Sequence, residues 1–239
     1  MNKYFMAVQN ENVLDILIYG DITSWEWLDS DISSYTLAKL IQESDAGQIN
    51  VKINSYGGEV AEGLAIYNAL KNHPAKVVTE CDGFACSAAS VVFMAGDERI
   101  MNSASLLMIH NAWTYASGNA KELRKAAEDL DKISTAAANA YRAVMKISEE
   151  ELNRLLDEET WILPQEAFHY GFATALAQDD TFDKQQYSAR QKVFCQLVSR
   201  KPEDSVPKNA SGESGPAKEP PAEPDGFQKL FDTFTKRKE

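Results

Sequence analysis

The chain has 239 residues, 44% of them hydrophobic and 25% charged, a composition typical of globular proteins. Its formal net charge of -12 argues against nucleic-acid binding, because proteins of that class depend on a basic surface for much of their affinity. No uncharged apolar run approaches the roughly 20 residues of a membrane helix, and the N-terminus lacks the order of a signal peptide. The three cysteines match no paired zinc spacing and suggest reduced thiols. We therefore expect a cytoplasmic protein with no metal, cofactor, nucleic acid or membrane partner.

Strand patterns and helix patterns alternate along the first 178 residues. The strand patterns, in chain order, are VLDILIYG, INVKINS, AKVVTEC and SLLMIHNA. The helix patterns that fall between them are EVAEGLAIYNALKNH and SAASVVFMAG. This alternation predicts a single α/β domain over residues 1–178 with largely parallel strand pairing.

A long helix is predicted over residues 119–146. Apolar and small residues recur there at intervals of three or four: Leu123, Ala126, Leu130, Ile133, Ala137, Ala140 and Val144. Such a stripe fits either packing inside one subunit or a projecting helix that interlocks with a second subunit, and its length favours the second. Ser148 and Glu151 then resemble a capping box that opens another helix. A last short helix is predicted to begin at Pro164 and to end at Gly171.

The composition changes near residue 180. Six of the eight prolines follow that point, among many Ser, Lys and Glu residues, which predicts a disordered linker over residues 179–225. In the final segment, residues 226–239, Phe227, Leu230, Phe231 and Phe234 share one face of a possible helix. The segment is either a docking peptide for a partner or a frayed end with accidental periodicity.

Two glycine-containing stretches each join a strand to a helix. Gly57 and Gly58 lie in NSYGGEV, where they allow positive φ and close approach of another backbone. In DGFACSAAS we expect Gly83 to form the turn and Ser87 to stand at the start of the following helix. A serine there has an exposed hydroxyl beside free backbone amides, which suits a nucleophile as well as a simple N-cap. Cys86 is interpreted as a small packing residue.

A serine nucleophile needs a base, and the chain has three histidines. His73 fits a structural role at a helix end, and His169 lies on a short helix that can face solvent. His110 ends a buried strand, which is where open α/β sheets carry their sites. The third group would be a carboxylate, and Asp157, Glu158 and Glu159 are all available; spacing does not choose among them.

Four ordered motifs resemble the ClpP-type serine peptidases, most closely the ClpP-like head-maturation proteases of tailed bacteriophages. INSYGG is similar to the family's I-N-S-P-G-G, and GFACSAASVVFMAG to its G-x-A-A-S-M-G-A-x-L-L-x-A-G. LLMIHNA resembles x-M-I-H-Q-P, and DEETWILPQEAFHYGFA resembles E-R-D-R-F-L-S-A-x-E-A-x-E-Y-G-L. Together the motifs span residues 48–175.

The resemblance implies a wound α/β core of the ClpP/crotonase type, built of ββα units, with a long protruding interface helix. It implies Ser87 as nucleophile, His110 as general base and Glu159 as the third catalytic residue. The backbone amides of Gly58 and Ala88 would form the oxyanion hole. Three positions depart from the family: Tyr56 replaces a proline, Ala88 a methionine and Glu159 an aspartate. Asp157 or Thr160 is the alternative partner of His110.

The implied function is a serine endopeptidase that forms a homo-oligomeric ring and processes capsid or scaffolding proteins during phage head maturation. One alternative is a Clp-type proteolytic subunit that works with an AAA+ unfoldase. Another is a shell or scaffold protein that has kept the fold and lost activity.

Overall fold

Eight strands and six helices are present in the part of the chain that the structure, a computed structural model, describes: residues 7–10, 12–25 and 33–177. The strands are β1 (Ala7–Asn10), β2 (Val13–Ile18), β3 (Gln48–Ser55), β4 (Lys76–Cys86), β5 (Glu98–Met101), β6 (Leu106–Ile109), β7 (Thr160–Ile162) and β8 (Ala175–Leu176). The helices are α1 (Ser34–Gln42), α2 (Val60–Asn72), α3 (Ala88–Phe93), α4 (Ala120–Arg142), α5 (Glu149–Asp157) and α6 (Pro164–Tyr170). The predicted α/β class is confirmed.

The C-terminal predictions lie outside the described residues. These are the linker over residues 179–225 and the amphipathic segment over residues 226–239. Their separation from a domain of residues 1–178 stays a prediction. Within the three described ranges, no helix combines the length and the apolar character needed to cross a membrane.

All eight strands belong to one sheet, whose main path runs β1-β2-β3-β4-β5-β8. Pairing along this path is parallel except between β1 and β2. Side chains on β2 alternate between buried and half-buried, and Leu14, Ile16 and Ile18 are buried in the core. This alternation is the expected pattern for a strand with only one covered face.

Strand β4 changes its partner halfway along. Its first half, Val78–Cys81, pairs with β5, and its second half, Phe84–Cys86, pairs with β6, both in parallel. The register between β3 and β4 shifts at the same place, between Ile53 and Ser55. The prediction of a turn at Gly83 is therefore wrong, because this residue lies within β4 and the strand continues to Cys86.

Helix α3 is packed among other elements on every side. All six of its residues, from Ala88 to Phe93, are buried. Gly63 of α2 lies so close that a Cβ atom added there would meet the Cβ of Ala88 at 2.9 Å. The missing side chain of Gly63 thus allows α2 to support the first turn of α3.

Helix α4 is buried only near its C-terminal end. Ala138, Ala140 and Tyr141 are buried, whereas the side chains of Leu123 and Ile133 are 43% and 42% exposed. Packing within one subunit therefore does not account for the first part of the small-residue stripe. The exposed part fits the protruding helix that the sequence predicts.

A buried hydroxyl pair joins α4 to the start of α3. The Oγ atom of Ser90 donates a hydrogen bond to the carbonyl of Ser87 at 2.6 Å, and it lies 2.7 Å from the hydroxyl oxygen of Tyr141. A serine hydroxyl has one proton, so Tyr141 donates to Ser90. Burial raises the pKa of Tyr141, which keeps the phenol protonated as a donor.

We expect Ser90→Ala to lower the free energy of unfolding by about 1–3 kcal/mol, because it leaves the buried Tyr141 hydroxyl without a partner. Tyr141→Phe removes only the donor and should cost less. Ser90→Ala combined with Tyr141→Phe should cost less than the sum of the single changes, since the two residues interact directly. Thermal melting measures all three variants, with a shift of roughly 2–4 °C per kcal/mol.

The exposed Ser103 provides a matched control, and Ser103→Ala should stay within about 0.5 kcal/mol of the unaltered chain. A Ser90→Ala effect no larger than this control, or strict additivity in the double variant, would show that the hydroxyl pair does not stabilise the fold.

Candidate active site

Ser87 forms the junction between β4 and α3 by itself. Its φ of 54° and ψ of -125° lie in a region that residues other than glycine rarely adopt. The backbone amide of Ser87 donates to the carbonyl of Met108 on β6 at 2.9 Å, and the carbonyl of Ser87 accepts from Ser90. The strained residue is therefore held by hydrogen bonds on both sides of its Cα atom.

His110 follows the last residue of β6 and reaches Ser87. Its Nε2 atom lies 2.8 Å from the Oγ atom of Ser87, and both residues are half-buried. Because β6 pairs with the second half of β4, the ends of these two strands are adjacent, and this adjacency brings the side chains together. A neutral imidazole with its proton on Nδ1 can accept the Ser87 hydroxyl proton at Nε2.

Glu159 lies at the junction of α5 and β7, on the far side of His110 from β4. Strand β7 pairs antiparallel with β6, and the pairing ends with Thr160 opposite Ile109, so Glu159 and His110 are the two residues next to this last pair. Glu159 has a φ of 49° and is exposed. Among the described residues, Ser87 and Glu159 are the two with positive φ that are not glycine.

The two alternative partners of His110 have other contacts. The Oδ1 atom of Asp157 accepts from the Nδ2 atom of Asn111 at 2.7 Å, and the hydroxyl of Thr160 donates to the carbonyl of Leu155 at 2.8 Å. Asp157 therefore holds the residue that follows His110. No hydrogen bond between His110 and a carboxylate occurs in residues 7–10, 12–25 and 33–177.

The Gly57-Gly58 loop lies against Ser87 on one side and against Ile22 on the other. A Cβ atom added to Gly57 would stand 2.8 Å from the Cβ of Ser87 and 2.9 Å from the amide nitrogen of Ala88. One added to Gly58 would stand 2.0 Å from the carbonyl oxygen of Ile22. With φ of 96° and 141°, both positions require glycine.

Hydrogen bonds hold this loop without using the amide of Gly58. The amide of Ile22 donates to the Gly57 carbonyl, and the amide of Glu59 donates to the Ile22 carbonyl, both at 2.8 Å. The Glu59 carboxylate accepts from the amide and hydroxyl of Ser24 and from the hydroxyl of Thr23, and these bonds lower its pKa. Ala88 is the first residue of α3, so its amide has no partner within the helix.

The remaining candidate side chains lie outside this cluster. The His73 ring accepts from the amide of Ala75 and contacts the carbonyl of Ser44, which agrees with the predicted structural role at the end of α2. His169 is exposed on α6, also as expected. Cys81 and Cys86 are buried, and burial raises the pKa of each thiol to about 12, so that both stay protonated. Cys86 is thus a packing residue.

Sequence reasoning missed the residues that support Ser87 and His110. The sequence gives no reason to single out Ser90, although it donates a hydrogen bond to the carbonyl of Ser87. Asn111 carries no signal beyond its position after a histidine, and Tyr141 carries none beyond its position in the predicted long helix. The partner change of β4 also left no sequence signal, since its two halves are separated by only Asp82 and Gly83.

Relatives of the chain include proteolytic subunits from several lineages. The chain is similar to the ATP-dependent Clp protease proteolytic subunit of Deinococcus radiodurans, with 32% identity over 149 residues that make up 60% of this chain and 73% of the relative. The protein of the same name from Bacteroides thetaiotaomicron is 28% identical over 185 residues, which are 72% of this chain and 83% of the relative.

The family model described as Clp protease matches residues 12–180. This match contains all four motifs, the partner change of β4 and both strand ends that carry Ser87 and His110. Because it covers more than half of the sequence, the chain belongs to the Clp protease family, a family of serine endopeptidases.

Proposed function

We propose that this chain hydrolyses peptide bonds in protein substrates, with Ser87 as nucleophile and His110 as general base. The observation that carries the proposal is the distance of 2.8 Å between the Nε2 atom of His110 and the Oγ atom of Ser87. This distance permits direct proton transfer. The strained backbone of Ser87 adds support, because strain of this kind clusters at functional sites.

The reaction follows from these positions. His110 takes the hydroxyl proton as the Ser87 Oγ atom attacks the carbonyl carbon of the substrate. The negative charge that develops on the carbonyl oxygen is stabilised by the backbone amides of Gly58 and Ala88. His110 then protonates the leaving amine as the peptide bond breaks. Water, deprotonated by His110, hydrolyses the acyl-enzyme and restores the Ser87 hydroxyl.

Glu159 is proposed as the residue that orients His110. The proposal is supported by the last pair of the β6 and β7 register, which Glu159 and His110 both adjoin, and by the other hydrogen bonds of Asp157 and Thr160. A carboxylate in this place would accept the Nδ1 proton of His110 and stabilise the imidazolium that forms during attack.

A fluorophosphonate probe tests the nucleophile directly. The full chain should be labelled once per active subunit, and Ser87→Ala should not be labelled because it lacks the attacking oxygen. His110→Ala should slow labelling by about 100-fold or more, which is the usual contribution of a general base. Intact-mass spectrometry measures the extent of labelling.

Ser103→Ala is the matched control and should react like the unaltered chain, since Ser103 is exposed and lies outside the site. Labelling of Ser87→Ala at the normal rate would exclude Ser87 as the nucleophile. A chain that is not labelled in any assembly state would instead be the inactive shell or scaffold protein.

Replacing each carboxylate by its isosteric amide distinguishes the role of Glu159 from that of Asp157. We expect Glu159→Gln to lower the labelling rate by about 100-fold, because an amide cannot stabilise the imidazolium. Asp157→Asn keeps an oxygen that can accept from Asn111 and should lower the rate by less than about tenfold. The reverse order of the two effects would assign the orienting role to Asp157.

Two narrower roles are consistent with a serine endopeptidase of this family. Processing of capsid or scaffolding proteins during phage head maturation is supported by the resemblance of the four motifs and by the proline-rich C-terminal composition. Work as the proteolytic subunit of an ATP-dependent machine is supported by the names of the relatives. A homo-oligomeric ring is proposed for both roles, and the exposed stripe of α4 supplies a surface for it.

The two roles predict different substrates and a different requirement for ATP. For head maturation, we expect co-expression with capsid and scaffolding proteins to yield defined fragments without ATP, and Ser87→Ala to abolish them. For the ATP-dependent role, folded proteins should be degraded only when an AAA+ unfoldase and ATP are added. Mass spectrometry of the products distinguishes the two outcomes. Processive degradation to small peptides, without defined fragments, would contradict the role in head maturation.

A further inference from the structure

A backbone bridge sets the direction of the Gly58 amide. Ile22 and Gly58 pair in parallel outside the named strands. In this bridge the amide of Ile22 donates to the Gly57 carbonyl, and the carbonyl of Ile22 accepts from the Glu59 amide, each at 2.8 Å. The Gly57 carbonyl and the Gly58 amide belong to one trans peptide, in which they point in opposite directions. Because the carbonyl is bonded to Ile22, the Gly58 amide is directed away from Ile22.

The carboxylate of Glu59 holds the segment that forms this bridge. Its Oε1 atom accepts from the amide of Ser24 at 3.1 Å, from the hydroxyl of Ser24 at 2.9 Å and from the hydroxyl of Thr23 at 3.0 Å. All three donors thus meet one oxygen atom of an exposed side chain. The two residues after Ile22 are therefore bound to the residue after Gly58.

These bonds take the place of a helix cap. Glu59 is the N-cap residue of α2, a position from which a side-chain oxygen commonly binds the first amides of its own helix. The Glu59 side chain makes no such bond and extends to Thr23 and Ser24 instead. The bonds from Ser24, first of all that from its amide, lower the pKa of Glu59. The acceptor is therefore charged, which strengthens each bond to it.

A buried serine joins the same two segments beside the bridge. The Ser55 hydroxyl donates to the carbonyl of Gly20 at 2.6 Å and accepts from the amide of Gly57 at 3.0 Å. Ser55 lies in the core, whereas Glu59 is exposed. Glu59 can therefore be replaced without opening a cavity in the core, which makes its bonds suitable for a test.

We propose that Glu59 is a positioning residue whose carboxylate fixes residues 22–24 and thereby orients the Gly58 amide toward the negatively charged oxygen of the transition state. The inference rests on the proposed function and adds a residue to the same site. Glu59 acts through Ile22 and Gly58 and not by contact with the reacting atoms. Such a donor must be held within about 0.5 Å of its productive place. A displacement of about 1 Å can lower a rate by about 100-fold.

Labelling of the full chain at several concentrations of the fluorophosphonate probe tests this role. It separates the maximal rate, kinact, from the half-saturating concentration, KI. The phosphoryl oxygen of the probe stands in for the carbonyl oxygen of the substrate, so kinact depends on the Gly58 amide. We expect Glu59→Ala to lower kinact by about tenfold, less than the loss of a whole donor, because the backbone bridge remains. KI should stay within about twofold, since ground-state binding is unchanged.

Two further variants separate the position of the acceptor from its charge. Glu59→Gln keeps an oxygen that can accept from Thr23 and Ser24, so its kinact should stay within about threefold of that of the unaltered chain. Ser24→Ala removes one of the three donors and should lower kinact by about threefold. Combined with Glu59→Ala, it should cause no further loss, because the two residues act through one contact.

Glu62→Ala is the matched control on the same helix. The Oε2 atom of Glu62 accepts from the amide of Ser34 at 2.7 Å, at the start of α1. Glu62 thus also binds a backbone amide of an earlier segment, but this amide lies outside the bridge. Its replacement should lower the melting temperature at least as much as Glu59→Ala, since Glu62 is half-buried. Its kinact should stay within about twofold of that of the unaltered chain.

The outcomes separate the inference from the proposed function. If the unaltered chain is not labelled, the proposed function itself is wrong. If the unaltered chain is labelled and Glu59→Ala keeps its kinact, or changes only KI, Glu59 is not a positioning residue and the proposed function stands. A loss in Glu59→Gln as large as in Glu59→Ala would show an effect of charge and overturn the inference. An equal loss in Glu62→Ala would overturn it too, because it would show a general loosening of α2.

Discussion

The partner change of β4 is the constraint on which the site depends. A strand that paired with β5 along its whole length would end beside that strand, and β6 would have no place next to Ser87. The second half of β4 pairs with β6 instead, so the amide of Ser87 donates to the carbonyl of Met108. His110 lies two residues after Met108 in the sequence and is therefore close to Ser87. The distance between Ser87 and His110 is thus set by strand pairing and not by the flexibility of a loop.

The strain at Ser87 is offset by contacts from several elements. Ser90, whose hydroxyl is bonded to Tyr141, donates to its carbonyl, β6 accepts from its amide, and the space beside it is filled by the backbone of Gly57. A residue in a sparsely populated conformation costs of order 1–3 kcal/mol, so it persists only where its surroundings determine it. The arrangement keeps the hydroxyl at the end of the strand, where the first amides of α3 are free of partners.

Much of the fold could be predicted from local patterns. Strands β2, β3 and β6 and helices α2 and α4 follow from their periodicity, and the end of α6 follows from a glycine whose φ is 86°. Strand β5 and the second half of β4 could not be predicted in this way. Their sequences, ERIM and DGFAC, mix polar, small and apolar residues without a period, and only pairing with distant strands makes them extended. The same limit explains the wrong turn at Gly83.

The candidate site was predictable to the extent that motifs mark it. The resemblance points to Ser87 and His110, and the two side chains lie within hydrogen-bond distance. The sequence marks Tyr56 only as a departure from the family's proline, yet its exposed ring packs against that of Phe84. A periodic sequence pattern could not show that Tyr56 and Trp161 are close in space, because 105 positions separate them in the sequence. Their rings are connected through the ring of Phe84, which contacts both. Residues that perform the reaction are constrained by its geometry, whereas residues that contact a substrate side chain are free to follow the substrate. A departure from the family pattern beside an otherwise matching motif is therefore where differences in substrate preference are expected.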